Sequence, residues 1–513
     1  MIVIGSKSLE LADIQDVVFN GVKIKLDTNA LEKASISFNY LGEFSKKSII
    51  YGVNTGFGPM AQYRISEDEQ KQLQYNLIRS HASGAGKMIP LTCIKAMMLA
   101  RINSLMQGVS AIHSEVLQLL VEFINQDIYP EIPTHGGVGA SGDLVQLAHL
   151  ALALIGEGNA WHSGSLKPMK DIMAELNLKP SGIHLREGLG IMNGTSAMTG
   201  IGTCNIILAK RLTNWSVLAS SMINELVGSF DDHYSKELNQ VKRHKGQQQV
   251  AKAMRDILES SKLIRKRSEH LYNKEFSEDV FIDKVQEYYS LRCVPQILGP
   301  VLDTLLQSQE VLENELNSAN DNPIVDVDND NIFHGGNFHG DYVSLEMDKV
   351  KIAVTKLSML AERQINFLMN HNLNGKFPPF LNLGKLGFNF GMQGVQFTAT
   401  STVAENQSLC FPNYVHSIPN NNDNQDIVSM GANSAMLTRK VVINSFEVLA
   451  IEFMSIMQAV RFVNSPDKMS LETKNTFDDF QKVFPTFVDD SVKYEDIRKV
   501  KEYLMENDPG YFS

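Results

Sequence analysis

The sequence predicts a mainly α fold: a long central helical bundle, with an N-terminal lobe that carries a glycine-rich loop. Leu208, Leu212, Trp215, Ala219, Met222 and Leu226 recur in steps of four and three, which marks one face of a helix. Val350, Val354, Leu357, Ala361, Ile365 and Leu368 do much the same, and a third such stretch runs from Ala435 to Val463. Strand signals are few, and no internal repeat or low-complexity segment breaks the pattern. Helices of this length pack side by side into a bundle. The expected division is 1–200 for the lobe and 201–513 for the bundle.

Taken in order, residues 1 to about 45 carry mixed short patterns. Tyr51-Gly52-Val53-Asn54-Thr55-Gly56-Phe57-Gly58-Pro59 reads as a loop by its glycines and proline, with Ile49 and Ile50 as its apolar anchor. Helical spacing follows at roughly 67–80, 91–107 and 114–126. Asp127 to His135 contains Pro130 and Pro133, which argues against a buried parallel strand. Gly136-Gly137-Val138-Gly139-Ala140-Ser141-Gly142-Asp143 comes next, and Leu144, Leu147, Leu150 and Leu154 then open a helix. Asp143 falls in that helix's first turn, where a negative charge is favoured. Asn193-Gly194-Thr195-Ser196 is a second loop, and Asn420 to Asn424 a third, short and polar.

Hydrophobic residues make up 43% of the 513 and charged residues 20%, an ordinary globular composition. The net charge of −11 argues against a nucleic-acid partner, which calls for a basic face. Cys93, Cys204, Cys293 and Cys410 show no paired spacing, so neither a zinc site nor a disulfide framework is expected and no metal is predicted. The apolar run at Met1–Ile4 is too short for a signal peptide, and no apolar run is expected to span a membrane. A cytoplasmic protein is the expectation.

Three chemistries compete for the glycine-rich stretch. Gly137 to Gly142 does read G-x-G-x-x-G, but without a preceding strand that pattern is weak. Ser141 as a nucleophile needs a base that the sequence does not nominate. The third reading makes Ala140-Ser141-Gly142 a cofactor precursor. If the Gly142 nitrogen attacks the Ala140 carbonyl, a five-membered ring closes. Loss of water from the ring and from Ser141 leaves 4-methylidene-imidazol-5-one (MIO), a strong electrophile. Glycine-rich flanks permit the strained turn this requires. Composition alone favours a plain glycine-rich turn before a helix.

Gly-Ala-Ser-Gly-Asp-Leu followed by an apolar helix resembles the signature of the aromatic amino-acid ammonia-lyases and related aminomutases. Further matches lie far apart, from about residue 51 to 431, and the chain resembles the shorter bacterial members. Tyr51, read alone a packing or surface tyrosine, stands in Tyr-Gly-Val-Asn-Thr-Gly-Phe-Gly. The resemblance makes it the base that removes the β-proton, a role that needs cationic or dipolar surroundings favouring its phenolate. Asn193 reads first as a turn residue; the family's Asn-Gly-Thr places it by cofactor and substrate. Gln286, Tyr289 and Arg292 share one face if their segment is helical. The resemblance gives Arg292 the substrate carboxylate, which a guanidinium grips in bidentate fashion. It sets Tyr289 to proton transfer at the amine, with Gln286 supporting it. Phe338, in Gly-Asn-Phe, is implied to pack on the ring cofactor. Asn317-Ser318-Ala319-Asn320-Asp321-Asn322-Pro323 also resembles a family motif, with a structural role expected.

Two places bear on the substrate ring. Ser80-His81 resembles the histidine-specific enzymes, although Arg79 departs from their apolar residue. Asn424-Gln425-Asp426-Ile427 follows the phenylalanine and tyrosine pattern, with Gln425 where histidine enzymes have a glutamate. Together they favour tyrosine: His81 to hydrogen-bond a phenol and Gln425 to line the ring pocket. The expected reaction is L-tyrosine to trans-p-coumarate and ammonia. Histidine ammonia-lyase and an aromatic 2,3-aminomutase are the alternatives. The spread of site residues and the long apolar helical faces call for partner chains, and the resemblance implies a homotetramer with shared sites.

Overall fold

The computed structural model describes residues 1–272, 279–281, 284–463 and 465–512. It is mainly helical, with short strands confined to small sheets. The chain folds into two compact units, each built from three stretches. The first comprises Met1–Ile207, Ser308–Asp348 and Pro412–Arg439; the second comprises Leu208–Gln307, Lys349–Phe411 and Lys440–Ser513. The expected boundary after residue 200 follows only the first of these stretches. The long helices Ser196–Val227, Val294–Leu316, Asp341–Met369 and Gly431–Val460 each contribute residues to both units, so no single cut along the chain separates them.

In the first unit, the Glu67–His81 helix starts at a capping box of Ser66 and Glu69. The Leu91–Leu105 helix is buried continuously from Cys93 to Leu105, as befits a helix without a polar face. It packs closely against the start of the Ser196–Val227 helix: a Cβ at Gly200 would fall 2.4 Å from the Met97 nitrogen. The proline-containing segment forms short strands, but none is parallel. Pro133–His135 pairs antiparallel with Ala85–Met88, and Tyr129–Pro130 with Asn159–His162.

The second unit is organised by apolar seams. Trp215 meets Phe453 and Phe480 edge-on, with centroids 5.4 and 5.7 Å apart, and its indole N–H donates to the Leu504 carbonyl. Two of its features depart from the expectations. The Val294–Leu316 helix contains Pro300, which conceals it from a reading of periodicity. The Gly431–Val460 helix does have the length and composition to cross a membrane, with mean hydropathy 1.4 over its most apolar window. That window is 89% buried, as in the core helix of a folded domain.

Candidate active site

Two other segments of the first unit, carrying Asn193 and Gln425, reach Ser141 directly. The glycine-rich loop supplies its own curvature: Gly139 and Gly142 sit at φ +77° and +68°, where a side chain would be strained. Both approach backbone or side-chain atoms too closely for any Cβ. At Gly139 a Cβ would lie 2.0 Å from Ser429 Oγ; at Gly142 it would lie 2.0 Å from the Gly194 oxygen. The loop is tied down by Ser429 Oγ and the Gly340 N–H, which donate to the Gly139 carbonyl at 3.0 and 3.1 Å. The Met430 N–H donates to the Val138 carbonyl at 2.9 Å.

Ser141 is gripped at two atoms. The Gln425 amide donates to its hydroxyl oxygen at 2.9 Å, and the Asn193 amide donates to its carbonyl at 3.1 Å. Gln425 therefore reaches Ser141 itself, a contact beyond the ring pocket expected for it. Asn193 is buried, and its Oδ1 has no hydrogen-bond partner among the described residues. A buried acceptor without a donor is costly, so it marks a position where a donor belongs.

Asp143 behaves differently from its expected role. It stands at the N-cap of the Leu144–Leu154 helix but makes no side-chain cap there. Its fully buried carboxylate instead accepts the Met198 N–H at 2.8 Å, in the first turn of the Ser196–Val227 helix. Burial pushes its pKa up to about 7, against the pull of the Met198 and Ala197 N–H groups.

Tyr51 is half-buried, and its phenol oxygen accepts the Gly58 N–H at 2.9 Å. Its ring meets Phe57 edge-on at 6.1 Å. Gly58 lies against Asn421, whose amide nitrogen would be 2.8 Å from a Cβ placed there. The 420–425 turn thus touches the Tyr51 loop at one end and Ser141 at the other. Three successive residues of that turn, Asn421, Asn422 and Asp423, adopt positive φ of 55°, 54° and 56°. Such strain in residues other than glycine clusters at functional sites. Phe338 is half-buried in the 334–340 loop, which the Gly340 bond joins to Gly139.

His81 ends the Glu67–His81 helix. Its Nδ1 lies 3.0 Å from both the Leu77 carbonyl and Ser80 Oγ. A carbonyl can only accept, so Nδ1 carries the proton, and Nε2 of the neutral ring is left as an acceptor. Arg79 pairs with Glu157 at 2.6 Å on the surface, which accounts for an arginine there without a ligand.

Gln286, Tyr289 and Arg292 lie in the second unit and form a cluster of their own. The helix there covers only Tyr289–Arg292, so Gln286 falls outside it and the single helical face is not formed. Arg292 nevertheless donates to Gln286 Oε1, and its guanidinium carbon sits 4.6 Å from the Tyr289 ring centroid. Tyr289 is 69% exposed.

Several supporting residues had no distinct sequence signal, apart from Asp321, which lies in the 317–323 motif. Gln74, fully buried, donates to the Gly52 carbonyl at 3.0 Å and accepts the Leu189 N–H at 3.1 Å, joining the Tyr51 loop to the segment before Asn193. Arg186 and Asp321 form an ion pair at 2.8 Å with no exposure on either side chain. Next to it, Glu187 accepts the N–H groups of His113 and His184 at 2.6 and 2.7 Å. The one available hint was charge and amide at positions flanked by apolar residues.

The site thus combines a strained, glycine-walled serine, amides on its hydroxyl and carbonyl, and a tyrosine loop joined to it through one turn. The chain as a whole is similar to known proteins. The family model for aromatic amino acid lyase matches residues 9–482. Tyrosine 2,3-aminomutase of Chondromyces crocatus is 37% identical over 98% of this chain and 96% of its own length. Histidine ammonia-lyase 1 of Fusobacterium nucleatum is 35% identical, over 99% and 96%. The crystal structure of tyrosine aminomutase from Streptomyces globisporus superposes with a TM-score of 0.94 at 34% identity, covering 98% of this chain and 96% of the other. The fold and site define an enzyme architecture built around a helical bundle. The chain belongs to the aromatic amino acid lyase family.

Proposed function

We propose that this chain acts on L-tyrosine, eliminating ammonia to give trans-p-coumarate, with MIO formed from Ala140, Ser141 and Gly142. The residues present fit that group. Gly139 and Gly142 leave room where any side chain would clash, and the Asn193 amide donates to the Ser141 carbonyl, which would remain as the ring's own carbonyl. Ala140 to Gly142 would form it, with Asn193, Gln425 and Phe338 around it. When formed, the group supplies an electrophile that turns the substrate's amino nitrogen into a better leaving group.

The chain's own residues do the rest. Tyr51 takes the β-proton; the C–H electron pair becomes the new double bond as the C–N bond breaks and ammonia departs. The Gly58 N–H keeps a donor on the phenol oxygen before and after transfer. Arg292, held flat by Gln286 and Tyr289, binds the carboxylate through its fork. The observation that carries the substrate is the pair His81 and Gln425. His81 Nε2 can accept a phenol O–H, and a neutral amide suits a neutral ring. Relatives named as tyrosine 2,3-aminomutases support the same amino acid.

Those names also favour a second reading, in which the amino group returns at C3 and β-tyrosine is released. Histidine ammonia-lyase is the remaining alternative. One experiment separates them: incubation of the purified protein with L-tyrosine or L-histidine under matched conditions, with products resolved by chromatography. The proposal expects p-coumarate and equimolar ammonia. Accumulating β-tyrosine selects the aminomutase, and urocanate formed faster than p-coumarate overturns the substrate.

We also propose a homotetramer in which each active site draws residues from more than one subunit. Exposed large apolar side chains support it: Phe388, Phe390 and Phe397 are 74%, 64% and 67% exposed, and surfaces of this kind call for partners.

A further inference from the structure

We infer that Arg101, remote in sequence from the reacting loop, is a positioning residue for ring closure at Ala140–Ser141–Gly142, acting through Gly194. The inference rests on the reading that this ring forms.

Gly194 stands between the two. On one side it meets Gly142 backbone to backbone: the residues form a parallel bridge, and the Asp143 N–H donates to the Gly194 carbonyl at 2.8 Å. On the other side there is no space. A Cβ at Gly194 would lie 2.3 Å from Arg101 Nη1, 2.5 Å from Asn320 Oδ1 and 2.8 Å from the Asn320 oxygen. Gly194 itself has φ +148°.

The backing is rigid. Arg101 is completely buried, within a helix that is buried continuously from Cys93. Its Nη1 donates to Asn320 Oδ1 at 3.2 Å, and its Nη2 to the Gly190 carbonyl. Ser104, one turn on, donates to the same Asn320 oxygen at 3.1 Å. Thr195, next to Gly194, donates to Glu315. Burying a guanidinium is costly, and this one is spent on holding two backbone segments.

Ring closure needs such a wall. The Gly142 nitrogen must bond to the Ala140 carbonyl carbon. The carbonyl oxygen departs as water with the protons of the Gly142 and Ser141 nitrogens, and the Ser141 hydroxyl departs as a second water with the Cα proton. No oxidant or reductant enters. What limits the step is approach, and a displacement of about 1 Å can cost on the order of 100-fold. If Arg101 is removed, Gly194 can recede and Gly142 can follow it.

Intact mass spectrometry tests this on the full-length protein during expression and subsequent incubation. The wild-type chain is expected to lose the mass of two waters. Arg101→Met and Asn320→Ala are expected to retain both waters in most chains and to cyclise at least ~10-fold more slowly. Arg101→Lys, which keeps charge and most of the length, should recover part of the rate. Leu120→Ala in the same unit's core is the control: it lowers Tm through a cavity and should cyclise completely. If Arg101→Met fails to fold, Arg101→Lys and Asn320→Ala carry the comparison. Folded variants that mature as fast and as fully as wild type overturn the inference. A wild-type chain that keeps both waters overturns the ring itself.

Discussion

Ser141 and Arg292 are held in opposite ways. Ser141 receives bonds from Gln425 and Asn193, 284 and 52 residues away in sequence, on a loop with no room for side chains. Arg292 leans on Gln286 and Tyr289, six and three residues before it, beside a tyrosine that is largely exposed. The difference matches the chemistry proposed for each. A backbone cyclisation needs imposed geometry, and only distant, buried contacts can impose it. A carboxylate clamp needs a preset fork and open access to its ligand, and a short local cluster provides both.

The comparison breaks first at Ser141. Ser141→Ala removes the hydroxyl whose loss as water would leave the methylidene, so activity should fall at least ~10⁴-fold, about 5 kcal/mol of barrier. The fold should persist, because the alanine keeps the backbone contacts to Asn193. Circular dichroism and thermal melting check the fold, and product assays check the loss. Full turnover by this variant would end the cofactor reading.

Next come the two residues assigned to opposite sides of the substrate. Tyr51→Phe should lower kcat by roughly 10²–10⁴-fold, the range for a positioned base. Arg292→Ala should cost about 3 kcal/mol, on the order of 100-fold in kcat/KM, as a charge-assisted pair is lost. If separate subunits complete one site, co-refolded mixtures of the two inactive chains should regain activity that neither has alone. Mixtures with no recovery, or an active monomer by sedimentation, would argue that one chain suffices.

His81 sharpens the comparison at the substrate ring. His81→Leu should reduce the preference for tyrosine over phenylalanine by about 10- to 100-fold, since the phenol loses its hydrogen-bond acceptor. Rates on both amino acids measure it. An unchanged ratio would move ring recognition elsewhere.

Much of the first cluster was legible because glycine carries meaning at particular positions. Gly139, Gly142 and Gly194 announce close backbone approach, and Asn-Gly-Thr and Ala-Ser-Gly could be placed in loops from their neighbours. The helices were legible from apolar periodicity, and 67–80 and 114–126 fall within a residue of Glu67–His81 and Ser114–Asn125. What holds the loops was not legible. Arg101 and Gln74 look like ordinary polar residues of amphipathic helices, and burial emerges only once the helices are packed. Asp143 was read as serving its own helix because a local rule applies there, but the tertiary fold gives it a better donor at Met198. The assembly of each unit from three separated stretches was hidden too, because it depends on how far each long helix runs.

The smallest effect on activity, and a test of the contrast in buried acids, is expected at Glu452. Other buried carboxylates each have at least one donor: Asp143 has the Met198 N–H, Glu187 has two N–H groups, Asp321 has Arg186, and Glu225 of the second unit has the Ser470 N–H and the Thr473 hydroxyl. Glu452, in the Gly431–Val460 helix of the second unit, is fully buried, and neither oxygen has a partner among the described residues. Burial alone pushes its pKa up to about 8, from an ordinary value of 4.5. The folded state therefore holds this proton more tightly than the unfolded chain does. Its contribution to stability is fully present below pH 4.5, declines as pH rises, and is lost above about 8. Glu452→Gln keeps the shape and cannot ionise. Its gain in stability over wild type should be near zero at pH 5 and grow to a few kcal/mol, order of magnitude, at pH 9. Denaturant melts of both proteins across that range measure the gain, with kcat unchanged at neutral pH. A gain at pH 9 no larger than at pH 5 would mean that Glu452 finds a partner in the assembled protein, as Glu225 does within the same unit.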